Sequence, residues 1–176
     1  MVQVLDLEFI EYISSDKLKN RISELAIEIN QEFKDKKPIF LAILNGSFMF
    51  MAELFRNINV DCEISFIKVS SYKDQNSTGN VIELIGLNQS LKDRHVIVVE
   101  DIVDTGKTLH FIHSILKKKS PLSIKIATLL HKTEATLIEN DLDYVGFEIE
   151  NKFVVGFGLD YNGFGRNLSA IYLKKE

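Results

Sequence analysis

Three apolar runs limit the architecture of this chain more than any other feature. PIFLAIL at 38–44 and HVIVV at 95–99 lack the polar alternation of a half-solvated strand. Each therefore needs cover on both faces, the situation of strands inside a parallel sheet. SIKIATLLH at 123–131 reads as a further strand. The segments between the runs supply the cover. Leu18, Ile22, Leu25, Ile29 and Phe33 recur at helical spacing and predict an amphipathic helix over 16–34, with Ser15 as its N-cap. Residues 48–55 and 106–118 are also predicted helical. The second of these ends in Lys117, Lys118 and Lys119, where the helix dipole favours cations. VDCEISFIKV at 60–69 alternates as a strand, polar SYKDQNSTGN at 71–80 is a loop of lid length, and VIELIGL at 81–87 is its return strand. Short strands are predicted at 144–149, 153–158 and 170–173. The expected fold is α/β, an open, mostly parallel twisted sheet flanked by helices. In such sheets ligands bind beyond the carboxyl ends of the strands. Three of those ends are punctuated by polar residues: LNGS, EDIVDTGKT and HKTE.

Composition excludes several alternatives. A chain of 176 residues suits one domain with a sizeable core. A net charge of −4 and a pI near 5.6 give no general attraction to nucleic acid or to membranes. No apolar stretch approaches the ~20 residues needed to span a bilayer. The opening MVQVLDLEFIEY lacks the basic-then-apolar pattern of a signal peptide, so a cytoplasmic protein is expected. Cys62 is the only cysteine, which excludes an internal disulfide and suits a packed thiol. His110 and His113 share a predicted helix face, but no third ligand stands at metal spacing.

The chemistry concentrates in VVEDIVDTGKTL at 98–109. Its Gly-Lys-Thr suggests a P-loop, but that motif needs a glycine five residues before Gly106, and Asp101 stands there. What remains is a strand, a turn carrying Thr105, Gly106 and Thr108, and a helix start. Backbone N–H groups and hydroxyls in that setting hold one phosphate. Glu100 and Asp101 suit another part of the same ligand. Adjacent carboxylates at a strand end accept hydrogen bonds from vicinal hydroxyls, such as those of a ribose, or act through Mg2+. Negative charge beside a sugar ring also stabilises a cationic, oxocarbenium-like transition state. A phosphorylated ribose satisfies both halves of the motif.

This stretch resembles the loop by which type I phosphoribosyltransferases bind phosphoribosyl diphosphate (PRPP). Other segments narrow the resemblance to the hypoxanthine-guanine phosphoribosyltransferases. LNGS is similar to their pyrophosphate loop, SSYKDQNSTG to their mobile Ser-Tyr loop, and LLHK to the strand end bearing their purine-reading lysine. VGFEIENKFVVGFGLDYNGFGRNL is similar to their hood segment. The resemblance is collinear over nearly the whole chain. It implies one phosphoribosyltransferase domain over 1–176, with a hood formed by the N-terminal segment and about 144–170, and a mobile loop at about 71–80. It further implies Mg2+ as cofactor, PRPP and a 6-oxopurine as substrates, no nucleic-acid or membrane partner, and a homodimer or homotetramer.

The same resemblance assigns roles. Glu100 and Asp101 meet the ribose hydroxyls, partly through Mg2+, and Asp104 faces purine N7 as general base. Thr105, Gly106, Lys107 and Thr108 form the 5′-phosphate loop. Leu44, Asn45, Gly46 and Ser47 form the pyrophosphate loop, with Arg166 also meeting pyrophosphate. Lys132 donates to purine O6, Phe153 stacks on the base, and Val154 offers backbone groups to the ring edge. Asp160 helps to hold Mg2+, and Ser71 and Tyr72 close over the site. Two positions depart from the family's commoner pattern: Asn45 replaces a basic residue of the pyrophosphate loop, and Thr136 replaces an arginine four residues after the purine-reading lysine. A regulatory PRPP-binding protein on the same fold is the alternative class. It needs a basic surface or an added DNA-binding domain, and this acidic chain keeps Asp104, Lys132 and Phe153. An adenine or pyrimidine transferase fits Lys132 and the hood segment poorly.

Overall fold

Every central strand is buried on both faces, as the apolar runs require. The computed structural model describes the backbone of residues 1–71, 81–85 and 89–175, and the side chains of 1–69 and 89–175. In chain order the elements are β1 (Val2–Val4), β2 (Leu7–Ile13), α1 (Ser15–Glu32), β3 (Ile39–Leu44), α2 (Phe48–Arg56), β4 (Glu63–Ser71) and β5 (Val81–Ile85). Then follow β6 (His95–Val103), α3 (Lys107–Lys117), β7 (Ser123–Lys132), a 3-10 turn at Thr133–Ala135, β8 (Tyr144–Ile149), β9 (Val154–Val155) and β10 (Ile171–Lys174). The main sheet has the order β5-β4-β3-β6-β7-β8. Its five strands from β4 to β8 are parallel, and β5 returns antiparallel along β4. A second, antiparallel sheet of order β1-β2-β10-β9 joins the N-terminus to the end of the chain.

Period-two alternation divides each apolar run between two cores. Phe40, Ala42, Ile97 and Val99 pack with Leu18, Ile22 and Leu25 of α1 and with Phe50 and Leu54 of α2. Ile39, Leu41, Ile43, Val96 and Val98 pack on the other face with Leu109, Ile112 and Leu116 of α3. The register matches this division, since Ile39 pairs with Val96 and Phe40 with Ile97. No helix among the described residues is long and apolar enough to cross a membrane.

Several predicted boundaries shift. Ser14, rather than Ser15, caps α1: its backbone is extended and its Oγ accepts the Lys17 N–H at 3.4 Å. Strand β4 begins at Glu63, three residues into the predicted run. Strand β6 continues through the acids to Val103, because Glu100 stays in parallel register with Thr128 of β7. The predicted strand over 153–158 reduces to Val154 and Val155, since Gly156, Phe157 and Gly158 all take positive φ and break the extended chain. The strands of the expected hood segment at about 144–170 divide between the two sheets. Strand β8 pairs with β7 in the main sheet, while β9 and β10 join the N-terminal strands. Of the predicted loop at 71–80 and its return strand at 81–87, residues 72–80 and 86–87 lie outside the described residues.

The edge strand β8 is protected by α1. Arg21 donates from Nη2 to the Val145 carbonyl at 2.9 Å and from Nε to the Gly146 carbonyl at 3.1 Å. Tyr144 donates its hydroxyl to Glu32 at 2.5 Å. That bond, assisted by Lys125, holds the Glu32 carboxyl below its ordinary value of 4.5. A depressed carboxylate contributes stability above its unfolded-state value and loses it as pH falls. Tyr144→Phe is therefore expected to cost about 0.5–1 kcal/mol at pH 7, the lower part of the charged hydrogen-bond range because Glu32 is partly solvated. The difference should shrink as Glu32 protonates below about pH 4.5. Urea unfolding of both proteins at pH 7 and pH 4 measures it, and a pH-independent difference contradicts the account.

Candidate active site

Strands β3, β6 and β7 are parallel neighbours, so their carboxyl ends emerge side by side. Twelve of the eighteen site residues singled out in the sequence lie at these ends. Leu44 closes β3, and Asn45, Gly46 and Ser47 turn the chain into α2. Glu100 and Asp101 lie among the last four residues of β6, with Asp104 just beyond it. Thr105 and Gly106 form the turn into α3, whose first residues are Lys107 and Thr108. Lys132 is the last residue of β7. A cavity of about 250 Å³ between β3 and β6 is lined by Leu44, Gly46, Glu100, Asp101 and Thr108. A smaller one beside it is lined by Asp104, Thr105, Gly106 and Thr108. A larger cleft of about 720 Å³ involves Lys37 and Asp61, near the amino ends of β3 and β4. That is the wrong end of the sheet for α/β ligand chemistry.

The two adjacent acids have different settings. Glu100 is 7% exposed, and its Oε2 has no hydrogen-bond partner among the described residues. Burial, with Asp101 next to it, holds its carboxyl well above the ordinary range. Burial also pushes Asp101 up to about 6, against the opposing pull of backbone N–H groups and Arg166. The turn after β3 lies directly on Asp101: a Cβ at Gly46 would fall inside the Asp101 carboxylate, so only glycine permits this approach. Ser47 is fully buried and donates to the Ile43 carbonyl at 2.5 Å, which fixes the turn.

A buried carboxylate oxygen without a donor is costly unless a ligand completes it. The chemistry of Glu100 and Asp101 fits either sugar hydroxyls or a hard divalent cation. Among the described residues no three His, Cys, Asp or Glu side chains converge as a metal site. Such a cation would therefore need oxygens from its ligand as well, the usual way Mg2+ is held beside phosphates. Asp160 has other partners in this structure: Arg166 at 2.6 Å through one oxygen and the Gly163 N–H at 2.6 Å through the other. Arg166 also donates to the Gly158 carbonyl at 2.7 Å.

On the other side of the cradle, Lys132 Nζ lies 3.3 Å from Asp104 Oδ2. The side chain of Lys132 is 9% exposed and that of Asp104 49%, so a buried cation reaches out to an accessible carboxylate. Thr136 helps to hold this pair, donating to the Lys132 carbonyl at 3.0 Å with His131 Nε2 at 3.2 Å. Phe153 is 43% exposed and packs edge-on against Tyr161 and at an angle against Phe9 of β2. Val154 is buried in β9. Ser71 ends β4, and Tyr72 is outside the described residues. The sequence reading did not single out Asn140, whose side chain reaches the turn at Gly106. No sequence signal marks it, because the contact depends on where the loop after β7 comes to rest.

An acid pair on a parallel strand end, followed by a turn into a helix start, is an arrangement suited to a phosphorylated sugar. Residues 12–162 match the family model of the phosphoribosyl transferase domain. A hypoxanthine-guanine phosphoribosyltransferase of Streptococcus pneumoniae is 41% identical over 165 residues, covering 93% of this chain and 92% of that protein. The crystal structure of a hypoxanthine-guanine phosphoribosyltransferase from Bacillus anthracis is similar with a TM-score of 0.89 at 37% identity, over 97% of this chain and 100% of the other. Hypoxanthine phosphoribosyltransferase from Trypanosoma cruzi, in complex with the product IMP, gives a TM-score of 0.90 at 34% identity, over 99% and 98% of the two chains. The chain belongs to the hypoxanthine-guanine phosphoribosyltransferase family.

Proposed function

We propose that this enzyme of purine salvage transfers the phosphoribosyl group of PRPP to N9 of hypoxanthine, and of guanine, releasing pyrophosphate. The observation that carries the substrate reading is the Lys132–Asp104 pair, 3.3 Å apart at adjoining strand ends. One edge of a 6-oxopurine presents O6, an acceptor, next to N7, which carries a proton in one tautomer. An ammonium and a carboxylate side by side complement that edge. Lys132 has three donors and no acceptor, so it matches O6 and mismatches the 6-amino group of adenine. Phe153, still partly exposed on the hood, supplies a stacking face worth about 1–3 kcal/mol per base.

In the transfer, the bond from C1′ to pyrophosphate breaks and its electron pair leaves with pyrophosphate, while N9 bonds to C1′. Asp104 takes the N7 proton, which removes the positive charge the purine would otherwise acquire. Glu100 and Asp101 hold the ribose hydroxyls beneath the cation developing at C1′. Thr105, Gly106, Lys107 and Thr108 hold the 5′-phosphate. Glu100 and Asp101 would hold Mg2+ together with PRPP oxygens, and the ion supplies charge neutralisation for the departing pyrophosphate. Arg166 would exchange Asp160 for pyrophosphate, releasing Asp160 toward the metal. Asn45 brings no charge to the pyrophosphate loop, so that loop acts through its backbone N–H groups.

A panel of hypoxanthine, guanine, xanthine, adenine and uracil, each with PRPP and Mg2+, tests the reading. Hypoxanthine and guanine are expected to turn over. Turnover of adenine or uracil alone would overturn the role of Lys132.

A further inference from the structure

We infer that Asn140 is a positioning residue for the anion cradle and sets the affinity for the 5′-phosphate without touching it. The inference rests on the phosphate-binding role proposed for residues 105–108. A trans peptide points its C=O and its N–H in opposite directions. A loop that aims N–H groups at an anion must therefore aim the matching carbonyls away from it, and those carbonyls need donors. Here the donors come from the segment after β7. The Thr105 carbonyl accepts from the N–H groups of Leu137 and Ile138, both at 3.2 Å. The next carbonyl, of Gly106, accepts from Asn140 Nδ2 at 3.1 Å and from the His110 N–H at 3.0 Å.

The second proton on Asn140 Nδ2 goes to the Ile138 carbonyl at 2.9 Å. Both neighbours of this amide are carbonyl oxygens, which fixes its nitrogen toward them. The contact also closes a circuit. Ile138 ties its N–H to Thr105, and Asn140 ties the Ile138 carbonyl to Gly106. Two successive peptides of the cradle are thus pinned from behind, and the N–H groups of Gly106 and Lys107 on their opposite sides have no backbone partner among the described residues. The fit is close. Gly106 has φ +79°, and a Cβ there would meet the Ile138 carbonyl and the Asn140 amide. A Gly106 peptide turned over would offer the anion a carbonyl oxygen. The His110 N–H at the start of α3 and Asn140 Nδ2 hold that carbonyl away together, and Asn140 adds the tie to Ile138.

The test uses Asn140→Ala, which removes both donors, and Asn140→Asp, which keeps the shape but turns an acceptor toward two carbonyls. Binding of ribose 5-phosphate is measured by calorimetry, with steady-state kinetics for PRPP and hypoxanthine and a melting temperature for each protein. We expect ribose 5-phosphate affinity to fall about tenfold in Asn140→Ala, the weight of one or two hydrogen bonds, and further in Asn140→Asp. KM for PRPP should rise in parallel, while KM for hypoxanthine and kcat at saturating PRPP stay within about twofold. If Asn140→Asp does not fold, Asn140→Ala, which introduces no charge, decides the matter. Wild-type affinity for ribose 5-phosphate in a folded variant overturns the inference, as does an equal rise in both KM values. Failure of the wild-type enzyme to bind ribose 5-phosphate overturns it too. A wild-type enzyme that binds ribose 5-phosphate but does not turn over hypoxanthine overturns the proposed reaction and leaves the comparison of affinities intact.

Discussion

Asp104→Asn is expected to lower kcat by about 10²–10³-fold while changing KM for PRPP far less, because general-base catalysis contributes on that order. The asparagine keeps the shape of the carboxylate and can still accept a hydrogen bond, but it cannot take a proton. The position supports a chemical role: Asp104 lies just past the end of β6, half-exposed, with Lys132 Nζ 3.3 Å from one oxygen. The cradle residues that follow it are untouched by the substitution, so PRPP binding has no direct reason to change. If product release limits turnover in the wild-type enzyme, steady-state kcat understates the loss. Single-turnover kinetics with hypoxanthine resolve this by isolating the transfer step. An unchanged single-turnover rate would remove Asp104 from the chemistry.

The central sheet was legible in the sequence because its cause is local. Runs such as PIFLAIL have no polar positions, and the structure divides their alternate residues between α1 and α2 on one side and α3 on the other. The strand ends were legible for a related reason: each apolar run gives way abruptly to polar residues, several of them still buried, such as Ser47, Glu100 and Lys132, and three of those transitions adjoin in a parallel sheet. The N-terminal hairpin was not read as strands. Only Phe9 and Ile13 of β2 are buried while Ile10 and Tyr12 are exposed, so its alternation is weak. Its turn uses Leu5 at φ +53°, a conformation usually signalled by glycine or asparagine. The sheet that each strand of the expected hood segment joins was not legible, for a different reason. Strand β8 continues the main sheet, and nothing in YVGFEI distinguishes a last parallel strand from the first strand of a hood. The partners of Asp160 and Asn140 were invisible because each depends on loop conformation rather than on a motif. Asn140 meets Gly106 across 34 residues of chain.

Lys132→Met should lower kcat/KM for hypoxanthine by about 10³-fold and narrow the hypoxanthine-to-adenine ratio by a similar factor. A site built to hydrogen-bond one substrate rejects an analogue strongly because a buried polar group is left unpaired, and ratios on the order of 10⁴–10⁵ arise that way. Lys132 meets the condition, being 7% exposed at the end of β7. With adenine, the ammonium would face an amino group and lose both its solvation and its acceptor. Methionine retains the apolar stem and removes the donor, so the penalty against adenine disappears along with the benefit to hypoxanthine. The fold should tolerate the exchange: the methionine occupies apolar volume, and the Asp104 side chain left behind is 49% exposed and can be solvated. Lys132→Gln provides the complementary case, since its amide can donate to O6 or accept from a 6-amino group. Its ratio should lie between those of the wild type and Lys132→Met. Initial rates for both bases at saturating PRPP, with melting temperatures as a check on folding, measure the change. A folded Lys132→Met enzyme that still prefers hypoxanthine by the wild-type ratio would move base discrimination away from Lys132 and onto the backbone around Val154.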